Sequence, residues 1–283
     1  MDTIAELLKE IEPIDAEAAS AVQKRFDCLI KPLGSLGLLE EITARIFGAR
    51  RSTDIFLLHQ TLIHIVGAQG GPAPSFLPGA RLTTVSLPLP REGVENGSLV
   101  REAIRQGAEE ALRQIRRGTQ VLAISQAVVE ENHTRTLARD LLAGKEEAQD
   151  DIFRLLDCRE YHAVAVMLGV ILAGAANRVP VVLDGLATAC AALIACRLNP
   201  DIKSYLIGVH LAPYPEHGAI FTTLGWKPGL PLNLSASGGV GAILTLSLLD
   251  AGIKALVEMG TFAGAGVSSA LQDLPEAVQQ DYC

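Results

Sequence analysis

The 283-residue chain contains neither G-x-x-x-x-G-K-[ST] nor G-x-G-x-x-G, so it carries no strong nucleotide fingerprint. Basic charge is also scarce: 24 Lys and Arg face 32 Asp and Glu, a formal charge of −8. That balance excludes a nucleic-acid groove as the main function, though not a small local anion pocket. The five cysteines, Cys28, Cys158, Cys190, Cys196 and Cys283, are odd in number and form no C-x-x-C pair. A disulfide framework and a thiolate metal centre are therefore not expected. Cys190 and Cys196 fall in an Ala/Leu-rich segment and read as buried free thiols, which fits a reducing cytoplasm. The longest apolar run, Ala163 to Ala176, is shorter than the ~20 residues a bilayer requires. It reads as a buried helix, and no membrane partner is expected. The first residues, MDTIAELLKEIEPID, lack the basic-then-apolar design of a signal peptide. No repeat of 20–50 residues is apparent.

What remains is a globular composition, 49% hydrophobic and 20% charged, long enough to bury a full core. IAELLKEI, AEAASAVQKRFDCLI and GLLEEITARIFGARR read as leading helices; in the third, Leu38, Leu39, Ile42 and Ile46 form a helical stripe. Strands are expected at Leu62–Gly70, Ala80–Leu89, Gln120–Ser125, Val179–Gly185 and Ser204–His210, with a last one at LPLNLSA. Helices are expected at Arg101–Gly118, His133–Gly144, Ala163–Ala176, Ala187–Cys196 and GVGAILTLSLLDAGIKALVEM. Strands alternating with helices of ten or more residues imply parallel pairing in an α/β layered fold. The expected division is a small helical domain from residues 1–30 and 261–283, and a large domain over 31–260. Ligands in such sheets bind beyond the carboxyl ends of the strands, so the loops from Gly67, Ser125, Asp184, His210 and Ser235 are the places to look.

Several of these loops hold candidates. The SASGGVGA turn, with Ser237, Gly238 and Gly239, lets backbone N–H groups approach an anion at a helix N-terminus, or is simply a tight turn. His210 and His217, in the proline-rich GVHLAPYPEHG, suit anion binding, proton transfer or the satisfaction of loop carbonyls. No third ligand is positioned to make them a metal site. Asp184 ends a buried strand, where it either caps a helix or contacts a ligand. Composition and pattern stop there.

KPLGSLGLLE (Lys31 to Glu40) resembles the KPxGSLGxLE segment of nicotinate-nucleotide:dimethylbenzimidazole phosphoribosyltransferases. The resemblance continues in family order through VLAI (from Val121), ANRVPVVLDG (from Ala176), GVHLAPYPEHG (family H-R-S-x-E-P-G-H), GGVGA (family G-E-G-T-G-A) and EMGTFAGAGVS (from Glu258). It implies a Rossmann-like parallel sheet with flanking helices, plus a small helical domain built from both chain ends. It also implies a dimer with active sites near the subunit contact. The implied reaction displaces nicotinate from nicotinate mononucleotide by an aromatic base, with inversion at the ribose carbon and a glutamate of G-E-G-T-G-A as general base. No cofactor is implied.

This chain departs from that pattern where the chemistry sits. Gly238 stands in the place of the glutamate, in a segment shortened by two residues. The family's G-E-M-G-I-G-N-T-T phosphate loop falls on Ser125 to His133, SQAVVEENH, and none of its glycines survives. Val128, Val129, Glu130 and Glu131 there add bulk and negative charge beside a dianion. The acidic position of the family's G-G-F-E falls on Ala163, and a family stretch after Gly70 is missing. A degraded site on a retained scaffold resembles the B subunit of heterodimeric relatives that join a phenol or cresol to ribose. The expected partner is a related catalytic subunit that binds nicotinate mononucleotide and the aromatic acceptor. Lys31, Gly34, Ser35 and Gly37 then form either a loop reaching that partner or a helix-connecting turn. Asp184, His210, Ser237 and Gly239 are the candidates for a residual pocket. Two rival readings are a binding or scaffold protein that kept only the fold, and an active homodimer using Glu130, Glu131 or Glu216 as a relocated base.

Overall fold

The computed structural model describes residues 3–54, 56, 58–66, 82–88, 98–126, 131–144, 149–235 and 238–266. Among the described residues, five strands make one parallel sheet: β1 (Gln60–Val66), β2 (Leu82–Pro88), β3 (Val121–Gln126), β4 (Val181–Leu183) and β5 (Leu206–Gly208), in the order β2-β1-β3-β4-β5. Every residue of β1 is buried, as a strand covered on both faces requires. The α/β fold with flanking helices is as the alternation implies.

The chain divides into two compact units. The larger comprises residues 1–13 and 58–246, the smaller 14–57 and 247–283. The sequence reading drew its divisions at residues 30 and 260 instead. In the larger unit α1 (Thr3–Glu10), α4 (Ser98–Arg116), α5 (Glu131–Leu142), α6 (Gln149–Leu156), α7 (His162–Ala176), α8 (Leu186–Leu198) and α9 (Pro215–Thr223) surround the sheet. Helix α7 is buried from His162 to Ala175, so the apolar run is a core helix. It meets α4 through two glycine notches: a Cβ on Gly107 would fall on the Val166 carbonyl oxygen, and one on Gly169 on that of Ile104. The two backbones pack where side chains normally stand.

The smaller unit holds α2 (Ala16–Asp27), α3 (Leu38–Arg50) and α11 (Phe262–Ala265). Helix α10 (Val240–Glu258) begins in the larger unit and ends in this one. Asp15 caps α2 by accepting from the Ala18 amide at 2.9 Å. Gly252 of α10 lies against Thr43 of α3 with no room for a Cβ, and Leu29 bridges to Thr261.

LPLNLSA and GVHLAPYPEHG differ from the sequence reading. The described residues of LPLNLSA, 230–235, form no strand: Leu230 makes one bridge to His210, and Leu232 is exposed. Pro228 and Pro231 remove the donors a strand ladder would use there. GVHLAPYPEHG is not all loop, because Pro215 opens α9 and carries His217 into its first turn.

Candidate functional site

The carboxyl ends of β1, β3, β4 and β5 bring together polar side chains that the interior would otherwise exclude. His64 of β1 pairs in register with Ser125 of β3, and its Nδ1 lies 2.6 Å from the Ser125 Oγ, both buried. Asp184 follows β4, where Gly185 takes a φ of +87° and lets the chain turn into α8. The Asp184 Oδ2 accepts the Gly239 N–H at 2.9 Å, so the carboxylate caps α10 from across the sheet end. Its Oδ1 stands 3.3 Å from the His210 Nδ1. His217 Nδ1 accepts the Ala212 N–H at 3.0 Å. Burial pushes the His64 imidazole below its ordinary range, with the Asp184 charge pulling the other way. Burial and the neighbouring His210 push His217 down to about 4.

The first turn of α10 lies directly on this cluster. A Cβ on Gly241 would fall on the Asp184 Oδ1 and stand 2.7 Å from the His210 ring. Alanine in a helix normally gains about 1 kcal/mol over glycine. Here Gly241→Ala is expected to lose about 2 kcal/mol instead, because overpacking against a buried carboxylate outweighs propensity. Urea denaturation of the variant beside the parent checks the sign.

Gly238, where the resemblance places a glutamate, has a φ of +52° and nothing within 4 Å of an added Cβ. Among the described residues, no atom occupies the position. Ser125 is buried at the end of β3 and bonded to His64, while Ala163 is buried in the first turn of α7. Ser237 and Glu130 lie outside the described residues, as does the side chain of Glu131, whose backbone opens α5. Glu216 is near but committed: the Arg135 side chain donates to both its oxygens at 3.1–3.3 Å, and the Arg139 Nε to Oε1 at 2.8 Å. The Arg135 hydrogen bonds lead in holding its carboxyl down at about 2. A carboxylate so paired is a poor base.

Lys31 does not reach outward either. Its Nζ lies 2.8 Å from the Glu40 Oε1, with side-chain exposures of 5% and 3%. Glu40 also accepts from the Gln23 Nε2 at 2.9 Å and the Leu36 N–H at 3.0 Å. Burial alone would raise the Glu40 carboxyl, but these donors outweigh it and hold it below its ordinary value. Gly34 and Gly37, both at positive φ, and the exposed Ser35 form the turn that this carboxylate organises.

Comparison with known proteins follows the same outline. A family model described as "Phosphoribosyltransferase" matches residues 11–72 and 115–267. The chain belongs to this phosphoribosyltransferase family. A nicotinate-nucleotide--dimethylbenzimidazole phosphoribosyltransferase of Chloroflexus aurantiacus is 31% identical, over 95% of this chain and 99% of its own length. One of Halalkalibacterium halodurans is 29% identical over 97% and 99%. The alignment with the Chloroflexus relative spans 348 positions, more than the 283 residues here, so the relative carries segments this chain lacks. The family match is itself interrupted between residues 72 and 115. The crystal structure of a nicotinate-nucleotide–dimethylbenzimidazole phosphoribosyltransferase from Thermus thermophilus shares the fold, with a TM-score of 0.72 at 22% identity over 91% of this chain and 100% of that one.

Reading the sequence for motifs missed His64, Arg135 and Arg139. His64 carried one signal, a titratable residue inside an otherwise apolar strand. The arginines carried none, because their meaning depends on Glu216 arriving from a distant helix.

Proposed function

We propose that this chain is the non-catalytic subunit of a heterodimeric phosphoribosyltransferase. The complex moves phosphoribose from nicotinate mononucleotide to an aromatic acceptor, a phenol, a cresol or a benzimidazole, for the lower ligand of a cobamide. In that reaction the bond from the ribose carbon to the nicotinate nitrogen breaks. The acceptor's oxygen or nitrogen bonds to the opposite face, and the acceptor's proton must go to a base. The observation that carries the reading is Gly238, a glycine at the one turn where the family motif supplies that base.

The carboxylates nearby support it. Asp184 caps α10 through the Gly239 amide and faces His210 with its other oxygen, and Glu216 is held by Arg135 and Arg139. Losing general-base assistance alone costs about 10²–10⁴ in rate. This subunit supplies scaffold to a related chain that keeps the glutamate and the phosphate loop.

Co-expression tests this. The chain purified together with a relative carrying G-E-G-T-G-A and G-E-M-G-I-G-N-T-T is expected to migrate as a heterodimer and to release nicotinate in the presence of phenol. Separate elution of the two chains, with the relative fully active by itself, would remove the subunit role while leaving the family membership intact.

A further inference from the structure

Four ionisable side chains crowd one end of the sheet: Asp184, His64, His210 and His217, each at most 6% exposed. They include one carboxylate and three imidazoles. Asp184 acts electrostatically on both His64 and His217, and His210 acts on His217, so the four behave as one cluster. Among the described residues, the Asp184 Oδ1 and both His210 ring nitrogens have no hydrogen-bond partner. Nearby on α5 and α9, Arg135 and Arg139 both pair with Glu216. Past the end of α9, the Lys203 Nζ stands 3.4 Å from the position of a Cβ on Gly225.

We propose that this cluster is a pH-sensitive latch on the first turn of α10. One carboxylate balances one imidazolium, so the first proton is accommodated. A second leaves a net positive charge in a buried site whose single carboxylate is already balanced, and burying an unpaired charge is costly. The turn is what gives way, because the Asp184–Gly239 hydrogen bond and the tight seat of Gly241 on Asp184 and His210 tie it to this cluster. A histidine held neutral by burial contributes stability that is fully present above its unfolded value. That contribution is lost as the pH falls toward its folded one. The window for opening therefore runs from about pH 6.5 down to the about 4 of His217. Acidification opens the strand ends locally while the helices around the sheet stay formed. The latch is independent of the partner reading, since it is read by fluorescence and exchange, not by turnover.

The molecule carries its own reporter. Trp226, the single tryptophan, is buried against Gly208 at the end of β5 and meets Phe221 edge-on at 5.5 Å, which in turn meets His217 at 4.9 Å. In an acid titration of the full chain, the Trp226 emission is expected to shift to the red while far-UV ellipticity is still native. Asp184→Asn keeps the acceptor for Gly239 but removes the balancing charge, and should move that emission transition up by about one pH unit. If the variant does not fold, amide exchange of the parent decides. Corrected for intrinsic rates, the Gly239 amide should exchange about tenfold faster at pH 5 than at pH 7 while the β3 amides do not change. Emission and ellipticity lost together in one transition would overturn the latch, as would a Gly239 amide that tracks β3.

Discussion

Gly169→Ala is expected to lower the melting temperature by roughly 5 °C, although alanine is the better helix former. Gly169 sits in the middle of α7, and an added Cβ would fall on the Ile104 carbonyl oxygen and stand 2.8 Å from the Ala108 nitrogen of α4. Both obstacles are backbone atoms, which cannot rotate away as a side-chain tip can. Helix α4 must move off α7 or the methyl is not seated. Overpacking of this kind costs about 3 kcal/mol, which outweighs the gain of about 1 kcal/mol from propensity. Gly107→Ala should behave alike, since its Cβ would meet the Val166 carbonyl from the other side. A half-buried but unobstructed control, Gly218→Ala in α9, meets nothing within 4 Å and should be neutral or slightly stabilising. Thermal denaturation of the three variants separates close packing from propensity.

The second large effect belongs to the smaller unit. Glu40→Gln should destabilise it by about 3–5 kcal/mol, because it strands the buried Lys31 ammonium without a counter-charge. Replacing both partners, Lys31→Met with Glu40→Leu, should recover most of the loss, since a buried pair offsets little more than its own desolvation. The double-mutant cycle isolates the coupling. A single Glu40→Gln change within about 1 kcal/mol of the parent would show that Gln23 and the Leu36 amide organise the turn without the ion pair.

The layered fold was legible because apolar runs such as Leu62–Val66 and Val121–Ile124 are long enough to be strands and are separated by helical periodicity. The short strands were less so: β4 and β5 have three residues each, and neighbouring apolar residues that only approach the sheet look the same in sequence. LPLNLSA has a strand's alternation, yet Pro231 within it and Pro228 just before it deny it a ladder. Helix α9 was hidden by the opposite effect, where a proline read as a breaker is the residue that opens the helix. Helix α6, QDDIFRLL, was not anticipated, although Ile152, Leu155 and Leu156 have helical spacing; at eight residues it is too short for that stripe to repeat.

The candidate site was legible at single residues and illegible in its pairings. Asp184 and His210 were marked by their place after strands, Gly238 and Gly239 by the glycine-rich turn and the family motif. That Asp184 caps α10 rather than the adjacent α8 depends on two segments 55 residues apart meeting at the sheet end. Lys31 reads in sequence as part of a loop able to reach a partner, and its commitment to Glu40 shows only once α2 and α3 are packed. Glu216, weighed in sequence as a substitute base, is removed from that role by two arginines of α5.

The loss of the proton acceptor at Gly238 carries the functional account, and one rate tests it most directly. Nicotinate release from nicotinate mononucleotide in the presence of phenol or dimethylbenzimidazole should be measured on this chain alone, beside the Chloroflexus aurantiacus relative. The account predicts a rate for this chain lower by at least about 10²-fold. A rate within tenfold of the relative's, retained after Glu130 and Glu131 are changed to glutamine, would contradict it.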